Sequence, residues 1–192
     1  MMRRQRKAMS VAFIRTGERR YAVRATPDSA PPLEMNPAPG FDPLMPHDLQ
    51  HFIVEKHLGI EGGVFGRLAA GGTAKCFHAP ADNMSPREAS RLRRKQAARD
   101  RRLMPDRMDD YARSERATYI CWHDWLSHSS NPALRARAAE MRQTAGDVLQ
   151  RMGPAERASY TAEKLGEIRV EFERISACWS ALRIGDSLVE RW

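Results

Sequence analysis

In the second half of the chain, apolar side chains recur at alternating steps of four and three. Leu134, Ala138, Met141, Ala145, Val148 and Met152 form one such series, and Leu165, Ile168, Phe172, Ile175, Trp179 and Leu182 form a second after "MGP" at 152–154. That spacing keeps one face of a helix apolar. It predicts two amphipathic helices, the second running from Ala155 to about Leu182, joined by a short Gly-Pro turn into a long antiparallel helical hairpin over 132–182. Asn131 followed by Pro132 supplies the start of the first. Near the N-terminus the period changes to two. "SVAFIRT" and "RRYAVRAT" flank a Gly-Glu pair, with Val11 and Phe13 on one run and Tyr21 and Val23 on the other, which predicts a β-hairpin within residues 1–26. The last residues, "IGDSLVERW", read as a turn and a short strand over 187–192 that can join this hairpin as a third strand.

Between these ends, residues 27–46 hold seven prolines, so the pattern excludes helix and predicts an extended connector. Pro46 and Gly59 then bracket a helix over "HDLQHFIVEKHL". Gly62 and Gly63 separate it from a short apolar helix, Val64 to Ala70; the glycine-rich run around them matches neither GxxxxGK[ST] nor GxGxxG. Ser85, Pro86 and Glu88 have capping-box spacing at the head of a helix whose apolar stripe, Ala89, Leu92 and Leu103, is thin. A further helix begins near Pro105, with Met108, Tyr111, Tyr119, Trp122 and Leu126 tracing an interrupted inner face. These elements describe an α+β protein, mainly helical, and 192 residues make one domain spanning 1–192.

Composition adds a wet surface, with 42% hydrophobic, 29% charged and 7% aromatic residues. The net charge of +8 is concentrated. Residues 1–24 carry eight basic side chains against one acidic, and residues 85–102 carry eight against two. Blocks of this kind attract polyanions through counterion release. The second block gives one candidate function: a non-catalytic binding protein presenting Arg87, Arg91, Arg94, Lys95 and Arg102 to nucleic acid or to an acidic protein partner, with phosphate rather than base contacts because few aromatics accompany them. Cys76, Cys121 and Cys178 are far apart and form no CxxC pair, as expected in a reducing compartment. The basic opening lacks an export signal's cleavage site and no run approaches the roughly 20 apolar residues of a membrane span, so a cytoplasmic location is expected. Translation from Met1 or from Met9 is equally compatible with the residues.

The chemistry concentrates in "PHDLQHFIVEKHLGI". On a helix His47, His51 and Glu55 stand at i, i+4 and i+8, on one ridge, with Asp48 beside them. Histidines four apart can ligate one cation at about 2.0–2.1 Å. The pattern therefore predicts a metal site on His47, Asp48 and His51, zinc or another divalent ion, with Asp48 or Glu55 accepting a proton. A further ligand would come from His57, Glu61 or His78. The competing reading makes these groups the polar side of an ordinary helix that buries Leu49, Phe52, Ile53 and Leu58. In "CWHDWLSH", His123 and His128 are five apart and splay, so they read as poor joint ligands, and Trp122 as interior packing. No nucleophile elbow is present, and Cys76 and Cys178 read as small buried or half-buried residues.

The run P-H-D-x-x-H-F-x-V-E-x-x-L-G, Pro46–Gly59, resembles a helix shared by a group of small bacterial proteins in which an N-terminal hairpin precedes it; the likeness covers roughly the first 75 residues and implies no particular activity. The same helix is similar to that of the ubiquinone-biosynthesis family that holds a metal in His-Asp-x-x-His with a glutamate about a dozen residues on. His47, Asp48 and His51 match it. At the glutamate's place stands Gly63, with Glu61 two residues short. The dipeptides His47-Asp48 and His123-Asp124 resemble those of His-Asp phosphohydrolases, without that family's separate histidine and distal aspartate. The resemblance implies a metal, and the functional expectation is a divalent-metal hydrolase or lyase built on the His47/Asp48/His51 helix.

Overall fold

The computed structural model describes residues 8–28, 30–80, 85–103 and 108–192; Arg3, Arg4, Arg6 and Lys7 of the basic N-terminal block lie outside them. Strands β1 (Met9–Gly17) and β2 (Arg20–Pro27) form the expected hairpin, with Val11 opposite Ala25 and Phe13 opposite Val23. All four side chains are fully buried, as period-two alternation over one covered face requires. Strand β4 (Ser187–Arg191) pairs antiparallel with β1, as its sequence predicts.

The proline-rich segment is more than a connector. Its middle forms β3 (Leu33–Ala38), which pairs with β2 by setting Leu33 opposite Ala25 and Met35 opposite Val23. The sheet order is β3-β2-β1-β4. β3 tolerates Pro37 because it is an edge strand, where a missing N–H need not interrupt a ladder on both sides. It is retained because Leu33, Met35 and Ala38 bury against the core.

Helix α1 (His47–Leu58) lies at the centre of the molecule and ends at Gly59 in the left-handed conformation, φ 65°. Residues Asp48 to Glu55 are all buried. Phe52 meets Phe13 of the sheet edge-on at 5.8 Å between ring centroids, while other faces of α1 meet α4 (Met108–Ser127) and α7 (Ala162–Ser180). A helix enclosed on several sides has no reason to show a single apolar stripe, so its polar residues must find partners inside. The short α2 (Val64–Ala69) follows, then α3 (Pro86–Leu103), opened by the predicted Ser85–Glu88 capping box.

Both stripes of the second half face the interior, their residues buried or partly buried, but the two helices do not form a hairpin with each other. α5 (Pro132–Arg151) packs on α4, and α7 packs on α1 and α4. Connection length explains the difference. Four residues separate α4 from α5, which makes them antiparallel neighbours. Between α5 and α7 the chain makes a separate short helix, α6 (Pro154–Arg157), and restarts at Ala162 with Thr161 as N-cap, its hydroxyl accepting from Lys164 N–H at 3.1 Å. The last helix therefore begins at Ala162, not Ala155. That longer path lets α7 return to the core, where Phe172 meets the rings of Trp122 and Trp125 at 6.0 and 5.9 Å. Among the described residues no helix is long and apolar enough to cross a membrane.

Candidate metal centre

Glu55 occupies a cradle behind α1. Gly59 ends α1, the chain reverses, and α2 begins with its first amide groups aimed back at the Glu55 carboxylate. Val64 N–H donates to Oε1 at 2.7 Å; Phe65 and Gly66 N–H donate to Oε2 at 2.9 and 3.3 Å. The carboxylate thus satisfies the open N-terminus of α2. Gly63 is required by this approach, since a Cβ there would stand 2.2 Å from Oε1. Burial pushes the Glu55 carboxyl up, against the Ser114 hydroxyl, His51 and the α2 amides, which favour its ionised form. The three amides and the Ser114 hydroxyl all donate to it, so the cradle suits a carboxylate.

From that carboxylate the proton positions of the next two groups follow. Ser114 of α4 donates its hydroxyl to Glu55 Oε1 at 2.7 Å, and its oxygen lies 2.7 Å from His51 Nδ1. With its own proton committed, Ser114 must accept, so Nδ1 of His51 carries hydrogen. Thr118 Oγ1, 3.2 Å from the same nitrogen, is a second acceptor. Nε2 is then the unprotonated nitrogen of a neutral His51, and it points the other way.

Nε2 of His51 faces Nε2 of His47 at 3.1 Å and Oε2 of Glu115 at 3.4 Å; His47 Nε2 and Glu115 Oε2 are 3.6 Å apart. Two histidines from α1 and one carboxylate from α4 form a closed triangle able to hold a metal ion. The edges are informative. Donors bound tetrahedrally at about 2.1 Å are separated by about 3.4 Å, whereas charge-assisted N–H···O bonds are about 2.7–2.9 Å long. The two edges to Glu115 match the first distance and exceed the second. The His51 side chain is 3% exposed, but those of His47 and Glu115 are 50% and 48% exposed, so one side of the triangle opens to solvent. The facing His47 and His51 imidazoles hold the Glu115 carboxyl well below the usual range.

The structure thus brings His47 and His51 together, as their spacing predicts, and places Asp48 and Glu55 away from the triangle. Asp48 turns from the triangle to Tyr21 of β2, its Oδ2 lying 2.5 Å from the phenol oxygen, which also reaches the carbonyl of Pro39. Burial raises the Asp48 carboxyl. One phenol proton cannot serve two acceptors, and a protonated Asp48 donating to Tyr21, with Tyr21 donating to Pro39, satisfies all three groups. Glu55 is fully buried behind His51 and supports that ring instead of meeting solvent. The third member, Glu115, was not among His57, Glu61 and His78. His57 faces Glu167 of α7 at 3.7 Å, and His78 exchanges backbone hydrogen bonds with Glu34 of β3. A signal for α4 did exist: its inner face is interrupted where Ser114 and Thr118 stand, and both are buried against His51.

A cleft of about 790 Å³ adjoins the triangle, and Glu115 belongs to its wall. Elsewhere, Arg87, Arg91, Arg94, Lys95 and Arg102 are all exposed on α3. His128 lies 3.5 Å from Asp124, which pairs with Arg169, and Trp122 is buried as expected. Cys76 is half-buried, whereas Cys178 is exposed, contrary to its reading as a packing residue. No known protein family, curated protein or solved structure matches this chain.

Proposed function

We propose that the protein is a divalent-metal enzyme of hydrolase or lyase type, with His47, His51 and Glu115 as ligands and zinc as the foremost ion. The observation that carries this reading is the triangle of donor atoms, with edges of 3.1, 3.4 and 3.6 Å, pinned from behind through Ser114 and open in front. Three protein ligands with a free position are the mark of a catalytic rather than a structural zinc site. A zinc ion there supplies a polarised substrate oxygen or a bound water acidified to about pKa 7. Glu55 and Ser114 fix the His51 tautomer and ring plane, as second-layer partners do in histidine-ligated metal sites. Unpaired, widely separated cysteines suit a cytoplasmic setting.

Metal analysis of protein prepared without a histidine tag tests the reading. Close to one equivalent is expected in the wild type, with loss in His51→Ala and in Glu115→Gln while the circular dichroism of both stays native. A wild type free of stoichiometric metal after supplementation during growth would end it.

A second reading has its own observation. At 100° per residue, Arg87, Arg91, Arg94, Lys95 and Arg102 fall within an arc of about 100° on α3, and all are exposed. Such a ridge fits the phosphates of a nucleic acid. Binding to a duplex should weaken steeply between about 50 and 200 mM salt, and should fall when Arg91, Arg94 and Lys95 are neutralised; affinity indifferent to both would dismiss it.

A further inference from the structure

The cleft beside Glu115 is built from three elements and a loop: Arg67 of α2, Lys75 and Cys76 of the segment after it, Tyr111, Glu115 and Arg116 of α4, and Arg151 of α5. Its volume lies within the range of small-molecule sites. Its charge is one-sided, with four cationic side chains against the single carboxylate of Glu115, which faces His47 and His51. Two of the four cations are committed. Arg116 is held by Glu156 through paired bonds of 3.0 and 2.7 Å, and Arg67 Nε donates to the carbonyl of Gly62. Lys75 and Arg151 are exposed and have no carboxylate partner among the described residues.

The wall carrying Lys75 is unusual in its backbone. Ala74 and Lys75 both adopt positive φ, 48° and 68°, a region that side-chain-bearing residues avoid. The conformation is enforced from both sides. Thr73 N–H donates to Asp100 of α3 at 2.8 Å, the Thr73 hydroxyl bonds the same carboxylate, and Lys75 N–H returns to the Thr73 oxygen at 3.2 Å. Backbone held in a disfavoured region by its surroundings is a recurring feature of ligand clamps.

We propose that this cleft takes a phosphorylated small molecule, its phosphate held between Lys75 and Arg151 and another of its oxygens directed to the metal position at Glu115. The role as substrate rests on the metal reading above; anion capture by Lys75 and Arg151 does not. A doubly charged oxyanion matches two cations that have no carboxylate partner among the described residues, one a compact ammonium and the other a planar fork that can grip two oxygens. Ala74, Ala112 and Val148 leave apolar wall for the rest of the molecule.

Inorganic pyrophosphate is the probe, titrated calorimetrically into full-length protein stripped of metal by a chelator and dialysed. Binding is expected in the stripped wild type, at least about ten-fold weaker in Lys75→Ala/Arg151→Ala and unchanged in the α3 variant lacking Arg91, Arg94 and Lys95. Both cleft positions are exposed, so the double variant should fold, which circular dichroism checks. Succinate, a dicarboxylate, is expected to bind at least about ten-fold more weakly than pyrophosphate. No pyrophosphate binding, binding untouched by the cleft variant, loss only in the α3 variant, or succinate binding as tightly would each overturn the proposal. Metal content, measured separately on the same preparations before stripping, tells the two readings apart: if they hold no metal but the stripped protein binds pyrophosphate, the enzyme reading fails and the anion site stands, whereas stoichiometric metal with no pyrophosphate binding overturns the anion site and leaves the metal reading.

Discussion

At the scale of single residues, His51 is the pivot. Its ring is buried, its Nδ1 is spoken for by Ser114 and Thr118, and its Nε2 completes the triangle. Glu55 is the origin of that arrangement. Replacing it with alanine leaves three amides of α2 and the Ser114 hydroxyl without an acceptor, so a loss of more than about 2 kcal/mol in urea denaturation is expected. Gly63→Ala should cost a similar amount, about 1–3 kcal/mol, by driving a methyl into the same carboxylate. The metal-free protein should also report its pH history. Burial favours a neutral His51, but the Glu115 carboxylate, with Glu55, outweighs it and raises the ring above its ordinary 6.5; that stabilising share is complete below 6.5 and is lost as pH rises through the raised value. Glu115 is depressed below its ordinary 4.5, so its share is present above 4.5 and is lost on acidification. The share of stability that this pair contributes should therefore be largest between pH 4.5 and 6.5, so without metal the melting-temperature difference between wild type and Glu115→Gln should be greatest there. His47 and His51 were legible because one helical turn sets them together. Glu115 was not, because its approach is a property of how α4 crosses α1, which no spacing within either helix encodes.

At the scale of elements, the sequence located faces better than partners. A stripe of apolar residues says which side of a helix is covered and is silent about what covers it. Hence the stripes of α5 and α7 are right while their supposed mutual contact is replaced by α4–α5 and by α7 on α1 and α4. β3 was hidden for a different reason: prolines suppress the strand signal, yet an edge position removes most of the cost. The gap in the α4 stripe was the most informative irregularity, because Ser114 and Thr118 sit where apolar residues would otherwise continue it. The α4–α5 contact makes its own prediction. Ala138 and Ala145 are the fully helical residues that α5 buries, each 2% exposed, so the two helices approach over small side chains. Ala145→Leu should cost about 1–3 kcal/mol through overpacking, whereas the exposed Ala139→Leu should be nearly neutral, both read from urea midpoints.

At the scale of the whole molecule, the sheet and the helical layer are joined by α1, and the aromatic side chains mark the seam. Phe13 of the sheet, Phe52 of α1, Phe65 of α2 and Trp192 after β4 touch one another in a single cluster. The expectation of a mainly helical α+β protein came from period and turn residues alone, and it holds because those signals are local. What links the layers is long-range and had to be seen. β1 is completed on one side by β2, its immediate successor, and on the other by β4, the last strand in chain order. During synthesis, the nascent polypeptide therefore holds β1 with a bare edge until residues 187–191 have left the ribosome. In that interval the row of unsatisfied backbone groups is free to zip onto a neighbouring copy. A stalled or prematurely terminated translation product should thus demand chaperone attention and clump where the finished protein does not.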